Sequence, residues 1–150
     1  MATAIAPAHL ADHAKVTEAF GYWPHFHDAE VRSLSMDRNQ VLSGEIYNAR
    51  IVLVIHALES TEAGPGMEPK SNHHLVQFEF DEVDDVHLQG FNHQNALLGL
   101  RFEQAQGVPN RETRHRVAID AAHGLAGSFT YRRGRVVSVI PCSDKGMPRR

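Results

Sequence analysis

The sequence contains a single cysteine, Cys142, close to the end of the chain. One thiol cannot close an intramolecular disulfide, and without a neighbouring cysteine it cannot form a zinc knuckle or a dithiol redox pair. The simplest interpretation is that Cys142 is a small apolar residue near the end of a strand. Disulfide scaffolds and dithiol redox proteins are therefore excluded.

Long apolar runs are also lacking. The longest unbroken aliphatic stretch is residues 51–55, whereas a helix that crosses a bilayer needs about 20 apolar residues. The first ten residues have no basic start and no continuous apolar stretch, and His9, Asp12 and His13 add polar groups there, so no signal peptide is predicted. We therefore expect a cytoplasmic protein without a membrane partner.

Positive charge is not in excess. Eighteen acidic residues against fifteen lysines and arginines give a net charge of −3. A chain of this charge has no field with which to hold a phosphate backbone. Nucleic acid is therefore not expected as a partner.

The chain has 150 residues, of which 42% are hydrophobic and 22% charged. This composition is ordinary for a globular protein, and the length favours one hydrophobic core over two. We predict a single domain over residues 1–150. Residues 1–19 are predicted to be an N-terminal extension or helix, and residues 60–72, which contain glycines and prolines, a long mobile loop.

Hydrophobic spacing predicts one helix followed by strands. Apolar and small residues recur at helical spacing over residues 9–20, and Gly21 and Pro24 stop the pattern. Short runs rich in Val, Ile, Leu and Phe then alternate with turn residues. A break in the alternation at residues 32–33 predicts a β-bulge. Residues 50–58, apolar at both parities, predict a central strand that is covered on both faces.

Turn signals predict how the strands connect. Two-residue turns are expected at residues 123–124 and 133–134, and short links imply antiparallel pairing. Leu98, Leu100 and Phe102 are predicted to share one core-facing side. The sequence thus predicts a β-rich α+β fold, an N-terminal helix followed by about seven or eight mostly antiparallel strands that form a sandwich or a strongly curled sheet.

The densest group of polar side chains lies in residues 23–30, Trp-Pro-His-Phe-His-Asp-Ala-Glu. His25 and His27 project to one face of an extended chain, as two metal ligands from one strand do, and Asp28 and Glu30 form the next such pair. A divalent metal or a general acid and base would use these groups. One hypothesis is therefore a metal-dependent β-barrel enzyme, which still needs a third ligand from elsewhere in the chain.

The same segment has two other interpretations. In the structural one, Trp23 and Phe26 pack into the core, Pro24 fixes a turn, and Asp28 or His27 satisfies buried backbone groups. In the recognition one, Trp23 and the carboxylates form a surface patch for a partner, since Trp is a common interface anchor. The residues alone leave these interpretations open.

A second polar group is found in residues 90–95, Gly-Phe-Asn-His-Gln-Asn, which contain Asn92, Gln94 and Asn95. Amide side chains satisfy loop backbone groups, so one interpretation is a tightly hydrogen-bonded turn. The other is a recognition surface for a protein or a sugar, and a lectin-like β-sandwich would combine Trp23 with these amides. Because no nucleophile elbow or Gly-rich phosphate loop is present, we predict no catalytic residues.

Both segments resemble phrases of a known family. Residues 20–31, Phe-Gly-Tyr-Trp-Pro-His-Phe-His-Asp-Ala-Glu-Val, resemble the opening phrase of the bacterial immunity protein 50 family, and residues 90–95 are similar to its second phrase. The phrases occur in the expected order, and the resemblance covers about residues 20–141. It implies a small α+β cytosolic protein that binds and neutralises a cognate polymorphic toxin, without catalysis.

The expected function is therefore that of a non-enzymatic immunity protein with a toxin as its partner and no cofactor. Exposed edge strands would also allow a homodimer. The residues that we assign to a partner-binding or structural motif are Trp23, His25, His27, Asp28, Glu30, Asn92, Gln94 and Asn95. If a metal is bound at all, His25 and His27 are its expected ligands.

Overall fold

A computed structural model of the chain describes residues 5–42, 46–60, 70–105 and 114–149. Within these ranges the chain forms one short helix followed by eight strands, which confirms the predicted α+β class. The helix α1 spans Ala14–Phe20, and the strands are β1 Glu30–Leu42, β2 Ile46–Ser60, β3 Lys70–Asp81, β4 Asp84–Gln89, β5 Leu97–Gln104, β6 His115–Ala121, β7 Ala126–Tyr131 and β8 Arg133–Pro141.

The strands form two four-stranded antiparallel sheets, with the order β1-β2-β3-β8 in the first and β4-β7-β6-β5 in the second. Aromatic rings from the two sheets are in contact. The ring centroid of Phe80 on β3 lies 4.7 Å from that of Tyr131 and 5.1 Å from that of Phe129, both on β7. The sheets therefore pack face to face, so the fold is a sandwich.

The helix is shorter than predicted at its start and ends where predicted. It begins at Ala14 because Ala11 is bonded to β8 instead: the N–H of Ala11 donates to the C=O of Gly134 at 3.0 Å, and its C=O accepts from the N–H of Val136 at 2.9 Å. Gly21 ends the helix with a left-handed φ of 82°. Within the described ranges, no helix has the length and hydrophobicity of a membrane span.

The first sheet contains both features predicted for its early strands. The register between β1 and β2 shifts between Val31 and Ser33, which confirms the bulge. β2 lies between β1 and β3, as expected of a central strand. Its inward-facing Leu53 is fully buried, but Val52 and Val54 on the other face are only partly buried. The prediction that both faces are covered therefore holds for the inner face and only in part for the outer one, where His56 is buried and the two valines are not fully covered.

Of the two predicted turns, one is a hairpin and the other is not. Residues 123–124 lie in the link between the paired strands β6 and β7. Residues 133–134 open β8, which leaves the sheet of β7 and pairs with β3 instead. A Cβ atom at Gly134 would lie 2.9 Å from Leu10 and 3.0 Å from Phe80. Gly134 is therefore required by close packing and not by a turn.

A second bulge changes which side chains of β5 are buried. The register between β5 and β6 shifts between Leu97 and Gly99. Leu97 and Leu100 consequently face the core, whereas Leu98 is 55% exposed. The prediction that these alternate residues of β5 share one core-facing side is right for Leu100 and Phe102 and wrong for Leu98.

The predicted mobile loop over residues 60–72 falls mostly outside the described part of the chain, which omits residues 61–69. The end of this segment belongs to β3, which begins at Lys70. There the Nδ2 group of Asn72 donates to the C=O of Ala19 at 3.2 Å, so the start of β3 is fastened to the helix.

Candidate binding surface

The aromatic residues of the first motif lie in the core. Trp23 and Phe26 are 3% and 2% exposed. The Trp23 ring packs edge to face on Phe26 and on Phe102 of β5, with centroids 5.6 Å and 5.8 Å away, and Phe26 packs on Phe78 of β3 at 6.1 Å. The segment between α1 and β1 is thus anchored to both sheets, and the indole is not on the surface.

The backbone of this motif follows the edge of β5. The N–H of Asp28 donates to the C=O of Leu97 at 3.0 Å, and the N–H of Leu97 donates to the C=O of Ala29 at 2.8 Å. Phe26 and Asp28 adopt left-handed φ angles of 62° and 66°. Phe26 thereby points inward while its neighbours face solvent. Glu30 is the first residue of β1 and is partly buried.

The two histidines of the motif are exposed. His25 and His27 line a hollow of about 640 Å³ together with Leu98 and Arg101. The Nδ1 atom of His27 lies 3.3 Å from Oδ2 of Asp28. In the part of the chain that the structure describes, no group of three or more His, Cys, Asp or Glu is placed to hold a metal ion. The metal hypothesis therefore gains no support from the geometry.

Asn95 fastens the second motif to its surroundings. Its side chain is buried, and Oδ1 accepts hydrogen bonds from the N–H groups of Asn92 and Leu125, both at 3.0 Å. Nδ2 donates to the C=O of Asn92 at 2.8 Å. The backbone C=O of Asn95 accepts from the N–H of Val31 at 2.9 Å, which joins the two motifs. Asn92 accepts from the N–H of Gln94 at 2.8 Å through Oδ1, and Gln94 is exposed.

An apolar surface beside the second motif was not predicted from the sequence. A hollow of about 300 Å³, which we call the β1/β4 groove, is lined by Leu34 and Met36 of β1, by Leu88 of β4 and by Phe91, which follows β4 in the sequence. Met36 is 60% and Phe91 56% exposed. An adjoining hollow of about 270 Å³ shares Met36 and adds Val86 of β4. The sequence of neither strand indicates this surface, because the groove exists only where the edges of the two sheets meet.

The comparison with known families identifies the chain. The model of the family described as Immunity protein 50 matches residues 12–141, which include both motifs. The chain belongs to the immunity protein 50 family. No curated protein and no solved structure matches it. In this family member the two phrases that carry the resemblance meet at the hydrogen bond between Val31 and Asn95, and the second phrase presents Phe91 to the β1/β4 groove.

Proposed function

We propose that this member of the immunity protein 50 family neutralises a cognate bacterial polymorphic toxin by binding it, without catalysis. The family match over residues 12–141 supports an immunity role. The structural observation that supports binding is the β1/β4 groove, where Met36 and Phe91 are each more than half exposed. Large apolar side chains clustered on a surface are typical of protein contact sites.

The motif residues divide between scaffold and surface in this proposal. Trp23 and Asn95 are buried, so we assign them the task of holding the two phrases in place. Gln94 is exposed in the loop that also carries Phe91, and we propose that it contacts the toxin. His25 and His27, on the opposite edge of the second sheet, form a more polar surface that we consider the alternative contact site.

The proposal is tested with the C-terminal domain encoded by the adjacent toxin gene. Co-expression should restore growth of cells that make this domain, and the purified protein should form a stoichiometric complex with an inactivated variant of it. A domain from an unrelated toxin is the control for both measurements. Protection without a complex would contradict a binding mechanism, and neither protection nor a complex would contradict the immunity role against this toxin. We place the encounter in the cytoplasm, which cell fractionation can check.

A further inference from the structure

We infer that the toxin contributes an extended strand, which pairs with the exposed edge of β1 and inserts apolar side chains into the β1/β4 groove. This inference rests on the proposed function and names the contact by which it is carried out. It depends on how the sheet edges are covered, on the position of the groove beside one of them, and on the shape and apolar lining of the groove.

Two outer edges of the sandwich are covered by the chain itself. The edge of β8 pairs near its start with the segment before α1, at a bridge of Ala11 with Arg135 formed by the hydrogen bonds of Ala11 to Gly134 and Val136. The edge of β5 pairs with the first motif, through Asp28 and Leu97. Chain segments that cover an edge in this way prevent it from pairing with another molecule.

The edge of β1 is covered only at its start. There the N–H of Val31 donates to the C=O of Asn95 at 2.9 Å, and Glu30 forms a bridge with Ala96. Beyond Val31, none of the segments that the structure describes pairs with this side of β1, although the register with β2 is regular from Ser33 to Asp37. Every second residue in the range 33–36 therefore directs its N–H and C=O groups away from the sheet. We call residues 33–36 the free edge. Such groups add an extended strand from another chain.

The free edge is also one wall of the groove. Leu34 and Met36 belong to both, and Leu88 and Phe91 form the opposite wall. A strand that paired with residues 33–36 would direct every second side chain into the groove. Main-chain hydrogen bonds and apolar burial would thus come from one occupant, whose side chains must be apolar at alternate positions.

The shape of the groove favours a different protein over a second copy of this chain. A twofold axis between two β1 strands would place the groove opposite its own copy, so that two hollows would face each other. The resulting void would lack the close packing that stabilises an interface. A strand from a different protein, with apolar side chains that project into the groove, would fill it instead.

Charges beside the groove are largely balanced. Asp37 lines the adjoining hollow together with Arg38 and Arg50, and Asp85 on β4 pairs with His87 at 2.8 Å. Neither sign of charge is therefore favoured at that end of the toxin strand, and the apolar lining of the groove sets the chemistry of the strand.

Two matched variants test the inference with the inactivated toxin domain. Met36→Asp places a carboxylate in the groove, at a side chain exposed enough for the fold to tolerate it. It should raise the Kd by about 30-fold or more, as expected for loss of an interface anchor. Ile140→Asp is the control, since Ile140 is also an exposed apolar side chain of the first sheet but lies on β8, the opposite edge strand. It should leave the Kd unchanged.

Hydrogen exchange of the complex locates the strand directly. Amides in residues 33–36 should exchange more slowly when the toxin domain is bound. An unchanged Kd for Met36→Asp, or protection at residues 25–28 instead, would overturn the strand inference while leaving the proposed function intact. Absence of binding by the wild-type protein would overturn both. A homodimer that Met36→Asp dissociates without the toxin domain would assign the free edge to a second copy and overturn the inference.

Discussion

The side-chain oxygen Oδ1 of Asn95 accepts a hydrogen bond from the backbone N–H of Leu125 at 3.0 Å, across the turn that leads into β7. The same oxygen accepts from the N–H of Asn92, so one buried amide holds two loops together. The family's second phrase is therefore a structural joint as well as a neighbour of the groove.

Removing this joint should destabilise the fold. Asn95→Ala leaves the N–H groups of Asn92 and Leu125 without their acceptor, the second of them buried, which should lower the free energy of unfolding by about 2–4 kcal/mol. Urea denaturation monitored by Trp23 fluorescence measures the loss. Gln94→Ala, at an exposed neighbouring position, should change stability by less than about 0.5 kcal/mol. Equal effects of the two substitutions would show that Asn95 does not hold the loops.

Two glycines with the same backbone conformation should respond differently to alanine. Gly21 and Gly124 have φ angles of 82° and 77°, but a Cβ at Gly21 meets no atom within 4 Å, whereas one at Gly124 collides with the C=O of Gln94 and with Oδ1 of Asn95. Gly21→Ala should lower the free energy of unfolding by about 1 kcal/mol, because alanine is strained only by the left-handed conformation. Gly124→Ala should lower it by about 3 kcal/mol or more, because the collision is added to this strain. Similar unfolding midpoints for the two variants would refute the close contact.

Trp23 should contribute to stability and not directly to recognition. Trp23→Ala empties a buried aromatic site and should lower the free energy of unfolding by about 3–5 kcal/mol. Since the chain has one tryptophan, circular dichroism replaces fluorescence as the readout. The exposed neighbour His25 provides the control, because His25→Ala should leave the unfolding midpoint nearly unchanged. A stable Trp23→Ala variant that fails to bind the toxin domain would contradict this assignment.

Acid should destabilise the protein through His9. The Nε2 atom of His9 lies 2.5 Å from the hydroxyl oxygen of Tyr131, and its ring stacks on that of His115 at 3.5 Å. Burial, and then the proximity of His115, lowers the pKa of His9 from 6.5 to about 4. Between these pH values the unfolded state binds a proton that the folded state does not, so stability is retained above pH 6.5 and lost as pH falls toward 4.

The pH dependence can be assigned by substitution. His9→Gln keeps an acceptor for the Tyr131 hydroxyl and removes the titrating group, so its stability should fall less steeply between pH 6.5 and 4 than that of the wild type. Burial also lowers the pKa of His56 and His115, so part of the slope should persist. Gln94→Ala, which removes no titrating group at an exposed position, is the control and should retain the wild-type slope. An unchanged slope for His9→Gln would rule out His9 as the acid-sensitive group.

Metal removal should have no effect on stability. His25 and His27 are exposed, and the described residues supply them with no third ligand. Elemental analysis of untagged protein should find metal well below one equivalent, and a chelator should not shift the melting temperature. One equivalent of zinc, iron or manganese together with a lower melting temperature after chelation would restore the metal-enzyme hypothesis.

Features that depend on neighbouring residues could be predicted from the sequence. Gly21 ends the helix because it tolerates a left-handed φ, and the bulge at residues 32–33 results from a break in local alternation. The resemblance of residues 20–31 and 90–95 to the family phrases could likewise be recognised from the sequence, and the family match confirms the family. The site was predictable only as a set of candidate residues, without an indication of which are exposed.

The tertiary structure decided what depends on distant parts of the chain. Local spacing could not show that β8 pairs with β3 rather than with β7, or that Leu98 faces solvent, because strand pairing and burial are set by residues far apart in sequence. The same holds for the free edge of β1 and for the groove between Met36 and Phe91. The sequence by itself determined the elements, the layered α+β class and the family. Only the packing of the two sheets determined which edges were covered and where an apolar surface was left for a partner.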